Sequence, residues 1–380
     1  RRALRMTGGA PDAVVVGGGL LGSAIGYGLA VRGLRVTVLD EGDVAYRAAR
    51  GNFGLVWVQG KGAGASPAHA AYARWTQTSG ELWSAFAAGL EELTGTPLQL
   101  SQKGGIHLCL TEEEFEARAQ KMAGLAAQNG SRFTYEMLGR NALARHLPGL
   151  GPDVVGCSWS PQDGHVDPLK LLRAVQEGIT ALGGAIRPGH RVSRIVREGG
   201  AFRLETEGGA LSTARLVLAA GLGNRALAPM IDLDQPVHPQ KGQVLVTERR
   251  EQFLDIPTTF VRQTGDGTIL LGDSKEDAGF DTSASPEILR TIADRGRRSF
   301  PALAEVQIVR SWGALRVMTP DGLPIYGQSP TMPGAFAAAC HSGVTLAAAH
   351  AGPLAQDIVE GRLSGETAAL GAERFHVQAA

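Results

Sequence analysis

The sequence predicts a mixed α/β fold, in which a parallel sheet with flanking helices is interleaved with a smaller α+β part. A strand, a glycine-rich turn, a helix and a second strand follow one another in residues 13–39. A later helix has a well-marked start at Asp167-Pro168, since Asp caps a helix and Pro suits its first turn. After Pro236 the chain changes to short apolar runs broken by Gly-Asp turns, which is typical of antiparallel strands.

The opening unit is a β–α–β segment with a glycine fingerprint. The apolar run Ala13–Val16 leads into Gly17-x-Gly19-x-x-Gly22 and then into a helix. In such a fingerprint the first glycine permits a tight turn, the second lets a pyrophosphate approach the backbone, and the third lets the helix pack on the strand. Asp40 ends the second strand, where an acid accepts hydrogen bonds from a ribose. This part is therefore predicted to be a Rossmann-like dinucleotide-binding unit.

The remaining elements follow from apolar spacing. Helices are predicted at 67–93, from Thr111 onwards, from Pro168 to Gly183-Gly184, and at 285–300. Strands are predicted at 105–110, 192–196, 202–206, 216–220, 242–247, 259–263 and 268–271. This order predicts a discontinuous dinucleotide domain of residues 10–93, 151–235 and 310–380, and a substrate domain of residues 94–150 and 236–309.

Composition excludes several classes of function. The 37 basic residues balance 37 acidic ones, which argues against nucleic acid or an anionic membrane as the main partner. The three cysteines are too few and too scattered for a disulfide framework or a metal site, so we expect a cytoplasmic protein without a metal. Residues 1–12 lack the apolar segment of a signal peptide, and the Ala-rich stretch 335–351 falls short of a membrane span.

Four separated motifs resemble one family, the amine-oxidising flavoproteins related to D-amino-acid, glycine and sarcosine oxidases. They are the glycine fingerprint, PQDGHVDP at 161–168, LVLAAGLGN at 216–224, and the pair WGALRVMTPDGLPIYG at 312–327 and ACHSGVTLAAAHAG at 339–352. RGNFGLVWVQGKG at 50–62 looks closest to the FAD-carrying subunit of heteromeric dehydrogenases. Those enzymes act on opines, on D-hydroxyproline or, in hydrogen cyanide synthase, on glycine.

The resemblance implies that the dinucleotide is FAD. It places the segment 50–52 along the pyrophosphate and the isoalloxazine, and it places the start of a helix at 343–346 against the pyrimidine edge of the flavin. A helix N-terminus there would stabilise the negative charge of reduced flavin. The implied FAD-binding residues are Gly17, Gly19, Leu20, Leu21, Gly22, Asp40, Glu41, Arg50, Gly51, Asn52, Val192, Ala220, Gly221, Gly343, Val344, Thr345 and Leu346.

Arg316 matches the position of the carboxylate-binding arginine of glycine and D-amino-acid oxidases. Its guanidinium suits a bidentate contact to a carboxylate, although a structural ion pair is the alternative. Phe260 falls where glycine oxidase has a substrate-facing tyrosine, and Arg262 would point the same way on a strand. Arg262 would then grip a second carboxylate or close the site, or else face solvent. His341 would line the substrate cavity, or serve as a capping or packing residue.

Three further residues near the motifs are assigned no role in binding. Lys61 and Lys241 lie in glycine-bearing segments and are interpreted as ordinary loop charges. Sarcosine oxidases attach FAD through a cysteine whose position is occupied here by Ala314. Because alanine cannot form that bond, and Cys340 is not its equivalent, the FAD is predicted to be non-covalent.

The resemblance implies oxidation of the C–N bond of an amino acid or N-substituted amino acid. A neutral amine would pass hydride from the carbon that bears its carboxylate to flavin N5, and water would hydrolyse the resulting imine. The closest resemblance favours a dehydrogenase with an electron-accepting partner subunit. Two alternatives stay open: a stand-alone oxidase that uses oxygen, and a flavin subunit that only relays electrons.

Overall fold

A computed structural model of the protein describes residues 10–42 and 48–375. Residues 1–9, most of the segment predicted to lack a signal peptide, lie outside the described residues. The end of the predicted third dinucleotide-domain segment, residues 376–380, lies outside them as well. Within the described residues, no helix is both long and apolar enough to cross a membrane.

A six-stranded sheet forms the centre of the predicted dinucleotide domain. All its strands are parallel except the edge strand Ile325–Gln328, which runs antiparallel to its neighbour. The strand order is Ile325–Gln328, Ala335–Ala339, Arg215–Leu218, Ala13–Val16, Val36–Leu39 and Ala185–Arg187. The central strand Ala13–Val16 is buried along its whole length, as expected for a parallel sheet covered on both faces.

Helices cover this sheet through very close contacts. A Cβ atom added to Gly22 would lie 2.0 Å from the carbonyl oxygen of Gly17, so the first helix packs directly on the turn. Asp167 caps the predicted later helix by accepting hydrogen bonds from the backbone of Leu169 and Lys170. The helices of eight or more residues are Leu20–Val31, Pro67–Thr94, Glu112–Asn129, Pro168–Ala181 and Pro286–Ser299. Shorter helices are Ala48–Gly51, Arg140–Leu143, Asn224–Leu227, Ala347–Ala349, Ala355–Glu360 and Gly365–Ala369.

Antiparallel sheets make up the rest of the fold. The four-stranded sheet has the order Val261–Gln263, Thr268–Leu271, His238–Arg249 and Ile308–Met318. One three-stranded sheet has the order Gly105–Cys109, Gly156–Ser160 and Glu136–Gly139, and another the order Gly209–Thr213, Ala201–Thr206 and Val192–Glu198. A two-stranded ladder joins Leu55–Val56 to Gly164–His165. The fold class predicted from the sequence is confirmed.

The predicted domain boundaries remain a prediction. Strand Ile308–Met318 crosses the predicted boundary at 309/310 and pairs with His238–Arg249, which belongs to the predicted substrate domain. Strand Gly156–Ser160 comes from the predicted dinucleotide domain, yet it pairs with Gly105–Cys109 from the other part. The first of these ladders brings residues 312–318 of the WGALRVMTPDGLPIYG motif against the predicted substrate domain.

Candidate active site

A large cavity joins the parallel sheet to the four-stranded antiparallel sheet. Its volume is about 1890 Å³. Most of the predicted site residues line it together: Gly17, Gly19, Leu20, Leu21, Asp40, Glu41, Arg50, Gly51, Asn52, Val192, Ala220, Gly221, Phe260, Arg316, His341, Gly343, Val344 and Thr345. Gly22, Arg262 and Leu346 are not among the lining residues. Gly22 packs against the turn, and Leu346 is completely buried in the apolar core.

The glycine turn leaves a helix N-terminus open to the cavity. Gly19 is the N-cap of helix Leu20–Val31 and supplies no side-chain hydrogen bond, and no acidic residue lies in the first turn. Asp40 accepts hydrogen bonds from the backbone N–H groups of Gly18, at 2.7 Å, and Gly42, at 2.9 Å. An N-terminus without a side-chain cap offers N–H groups and a partial positive charge. This cradle fits a pyrophosphate, and the Asp40 carboxylate retains lone pairs for a ribose hydroxyl.

The segment 343–346 forms a turn that leads into helix Ala347–Ala349. Its first hydrogen bond runs from the N–H of Leu346 to the carbonyl of Ser342, at 3.0 Å. A Cβ atom added to Gly343 would meet no protein atom within 4 Å, so the backbone faces open space there. Ala314 also lines the cavity, and a Cβ added to Gly51 would lie 2.4 Å from the Cβ of Ala314. This open turn shares the cavity with the glycine cradle, so its residues suit the ring end of a flavin dinucleotide.

Arg316 lines the cavity and also forms an ion pair. Its guanidinium donates to the Asp273 carboxylate, to the Ser274 carbonyl at 2.9 Å and to the Lys241 carbonyl at 3.3 Å. The backbone acceptors fix the direction of the side chain, which is 22% exposed. Both interpretations of the sequence, a substrate-binding arginine and an ion-paired arginine, therefore agree with its position.

The structure does not direct Phe260 and Arg262 to the same place, although the sequence predicted that they would point the same way. Residues 258–261 form a turn in which the Thr258 hydroxyl accepts from the N–H groups of Phe260 and Val261, so the strand begins only at Val261. Phe260 lines the cavity, whereas Arg262 is buried outside its lining. The guanidinium of Arg262 donates to the Phe53 carbonyl, at 2.7 Å, and to Nδ1 of His165, at 3.0 Å. The expectation that Arg262 faces substrate or solvent is wrong, and burial lowers its pKa to about 10.

His341 lies in the cavity beside a lysine that the sequence analysis set aside. Its Nε2 atom is 3.2 Å from Nζ of Lys61 and 3.3 Å from the Ser342 hydroxyl. Burial and the charges of Lys61, Arg316 and Lys275 hold the pKa of His341 well below its usual value, so the ring is neutral. Lys61 is a cavity residue, which corrects its interpretation as an ordinary loop charge.

Lys241 is also not a loop charge. It lies in strand His238–Arg249, is almost completely buried, and pairs with Asp281 at 2.8 Å and Glu276 at 3.3 Å. These hydrogen bonds and charges raise its pKa. Lys241 therefore acts as a structural ion-pair partner, and its backbone carbonyl supports Arg316.

Several cavity residues were not predicted from the sequence. His107, Thr259, Asp273 and Lys275 all line the cavity. Burial lowers the pKa of His107 to about 2, and its Nδ1 atom is 2.8 Å from the Thr259 hydroxyl. Asp273 and Lys275 lie shortly after strand Thr268–Leu271, and charged residues just beyond a strand end were the one signal that could have found them.

Comparisons with known proteins agree with this geometry. The family described as FAD dependent oxidoreductase (DAO) matches residues 12–356. An opine oxidase subunit of Agrobacterium tumefaciens (strain Ach5) is 43% identical over 97% of this chain and 99% of its own, and the corresponding subunit of Rhizobium meliloti is 42% identical over the same shares. The crystal structure of glycine oxidase from Geobacillus kaustophilus is similar with a TM-score of 0.84 and 26% identity, over 93% of this chain and 95% of that one.

Proposed function

The chain belongs to the FAD-dependent oxidoreductase (DAO) family, and from that premise we propose that it oxidises the C–N bond of an amino acid or an N-substituted amino acid. The observation that carries the proposal is a single cavity, which joins the helix N-terminus at Gly19 to the guanidinium of Arg316. One end of that cavity suits FAD, and the other suits a small molecule with a carboxylate. Similarity to the opine oxidase subunits and to glycine oxidase supports amine substrates.

The protein's own residues would bind and orient the substrate. Arg316 would hold the carboxylate and so fix the adjacent carbon, which lowers the entropic cost of reaching the reactive geometry. The neutral ring of His341 would accept a hydrogen bond from the amine without adding positive charge. Bound FAD would supply the hydride acceptor, and the N-terminal turn at 343–346 would stabilise the charge gained on reduction. Water would then hydrolyse the imine product.

The electron acceptor is proposed to be a partner subunit. The opine oxidase relatives are named as one subunit of their enzyme, and they are similar along nearly the whole of this chain. Oxygen is the competing acceptor, since the glycine oxidase fold is also shared. The three cysteines form no disulfide, which fits a reducing compartment such as the cytoplasm.

Anaerobic bleaching of the flavin tests the function. The FAD-loaded protein is mixed with glycine, sarcosine, D-proline derivatives, D-hydroxyproline and opines without oxygen, and its visible spectrum is followed. Bleaching by at least one amine supports the proposal. A yellow protein that no amine reduces, and that dithionite still reduces, would leave only an electron-relay role. Comparison of peroxide release with dye reduction then distinguishes oxygen from a partner subunit as the electron acceptor. Release of the flavin on acid precipitation tests its non-covalent attachment.

A further inference from the structure

Positive side chains gather at one part of the cavity. We call the part lined by Lys61, Phe260, Asp273, Lys275, Arg316 and His341 the substrate end. Its members lie near one another: Lys61 contacts His341, Arg316 pairs with Asp273, and the charges of Lys275 and Arg316 both act on Lys61 and His341. Asp273 and Lys275 are exposed and lie at its mouth, whereas Lys61 and Arg316 are partly buried.

The charges at the substrate end do not balance. Asp273 compensates Arg316, and the two histidines of the cavity, His107 and His341, are neutral because their pKa values are lowered. Among residues 10–42 and 48–375, neither Lys61 nor Lys275 has a carboxylate partner. A monocarboxylate bound at Arg316 would leave Lys61 uncompensated. A dianion with a neutral amine would balance the whole substrate end.

Lys61 is held in place by a buried polar network. The Asp163 carboxylate accepts hydrogen bonds from the N–H groups of Val58, at 2.5 Å, and Gln59, at 3.1 Å. The N–H of Lys61 in turn donates to the Val58 carbonyl, at 3.2 Å. Burial of an ammonium group is costly without an anion. Burial and the nearby charges of Lys121, Lys275 and Arg316 lower the pKa of Lys61 to about 8, against a smaller opposing effect of Cys340.

From this geometry we propose that Lys61 binds a second carboxylate of the substrate, and that the site therefore prefers a secondary amine flanked by two carboxylates over an amine with one. The inference rests on the proposed function, whose opine candidates are amines of this kind, and adds to it the residue that selects them over amines with one carboxylate. Arg316 would hold one carboxylate and Lys61 the other, with the amine between them. Such a compound is an N-(carboxyalkyl) amino acid. Glycine, sarcosine and proline derivatives lack the second group.

Two thioethers test the inference without turnover. Thiodiacetate carries two carboxylates and (methylthio)acetate carries one, and in both a sulfur atom replaces the amine that would be oxidised. Their dissociation constants are measured from the change in the visible spectrum of the FAD-loaded protein. Variants Lys61→Met and Lys61→Arg are compared with the wild type. Lys121→Met is the matched control, because it removes an equal charge close to Lys61 from a residue that does not line the cavity.

We expect the wild type to bind thiodiacetate roughly 10- to 100-fold more tightly than (methylthio)acetate, the range expected for one charge-assisted contact. Lys61→Met should abolish this preference, while Lys61→Arg and Lys121→Met should keep most of it. A wild type without the preference would overturn the inference, and so would an equal loss of both affinities in Lys61→Met. Failure of every amine to bleach the flavin would instead refute the proposed function, because the binding ratio is measured without oxidation.

Discussion

Replacement of Arg316 by methionine should separate its two roles. The guanidinium is 22% exposed and is directed by two backbone carbonyls. Asp273 and any carboxylate that enters the cavity would share it. Methionine keeps much of the volume and removes the charge. None of these contacts involves the glycine turn at 17–22, so we expect FAD to remain bound. What the variant loses should be the hold on the substrate carboxylate.

The expected loss follows from the contacts removed. A hydrogen bond to a charged group contributes about 1.5–3 kcal/mol, and a partly buried carboxylate left without its cation costs about 3–5 kcal/mol. We take about 3–4 kcal/mol, since the site is not fully closed to water. That corresponds to a fall in kcat/KM of roughly 100- to 1000-fold. The assay is anaerobic stopped-flow reduction of the flavin, which excludes the effects of the electron acceptor.

Asp273→Asn is the matched control for this prediction. If Arg316 binds substrate, loss of its competitor should leave kcat/KM unchanged or raise it. If the Arg316–Asp273 pair is only structural, the two variants should lose activity and thermal stability alike. A value of kcat/KM within a few-fold of the wild type in Arg316→Met would refute the substrate role.

Three further outcomes are expected. Gly343→Ala should weaken FAD binding without changing the unfolding temperature of the apoprotein, because a Cβ there meets no protein atom within 4 Å. Gly22→Ala should lower both the FAD affinity and the unfolding temperature, because its Cβ would lie 2.0 Å from the Gly17 carbonyl oxygen. Burial raises the pKa of Asp163 from 3.8 to about 6, so its stabilising contribution is present below about pH 4 and is lost as the pH rises through 6. The free energy of unfolding of Asp163→Asn minus that of the wild type, measured by denaturant titration, should therefore be larger at pH 8 than at pH 4.5, by up to about 3 kcal/mol. Because the pKa of Lys61 is lowered to about 8, kcat/KM for a dicarboxylate amine should fall above that pH, and Lys61→Arg should remove this fall from the measured pH profile.

Local signals in the sequence predicted the parts of the fold that depend on neighbouring residues. The glycine fingerprint predicted the turn, in which Gly22 packs against the Gly17 carbonyl of the same β–α unit, whereas the close neighbour of Gly17 itself is Ala219 of a distant segment. Asp167 and Thr111 each cap the helix that they were expected to begin. The predicted strand 202–206 corresponds to Ala201–Thr206, but the next strand, Gly209–Thr213, was missed because its residues are mostly exposed and lack apolar alternation.

Contacts between distant segments could not be predicted from local sequence patterns. Alternation predicted that Phe260 and Arg262 share a face, but the Thr258 hydroxyl closes a turn that puts Phe260 outside the strand. Arg262 donates to Phe53 and His165, which are far from it along the chain, so no local pattern indicates that it is buried. The resemblance placed Arg316 at the cavity, but it gave no sign that Asp273 would share the guanidinium.

Buried polar contacts fix the position of Lys61 in the substrate end. Gln59 donates to the Gly105 carbonyl at 2.9 Å, and its amide oxygen accepts from Arg118 at 2.6 Å and from the Ser158 hydroxyl at 2.6 Å. A loop held by apolar packing alone could shift along its own direction. The three hydrogen bonds of the Gln59 amide form at only one position of that group. The loop is thereby fixed against strands Gly105–Cys109 and Gly156–Ser160. Lys61, two residues further on, then reaches the cavity at a defined depth, so the selectivity proposed for it depends on a network whose residues do not line the cavity.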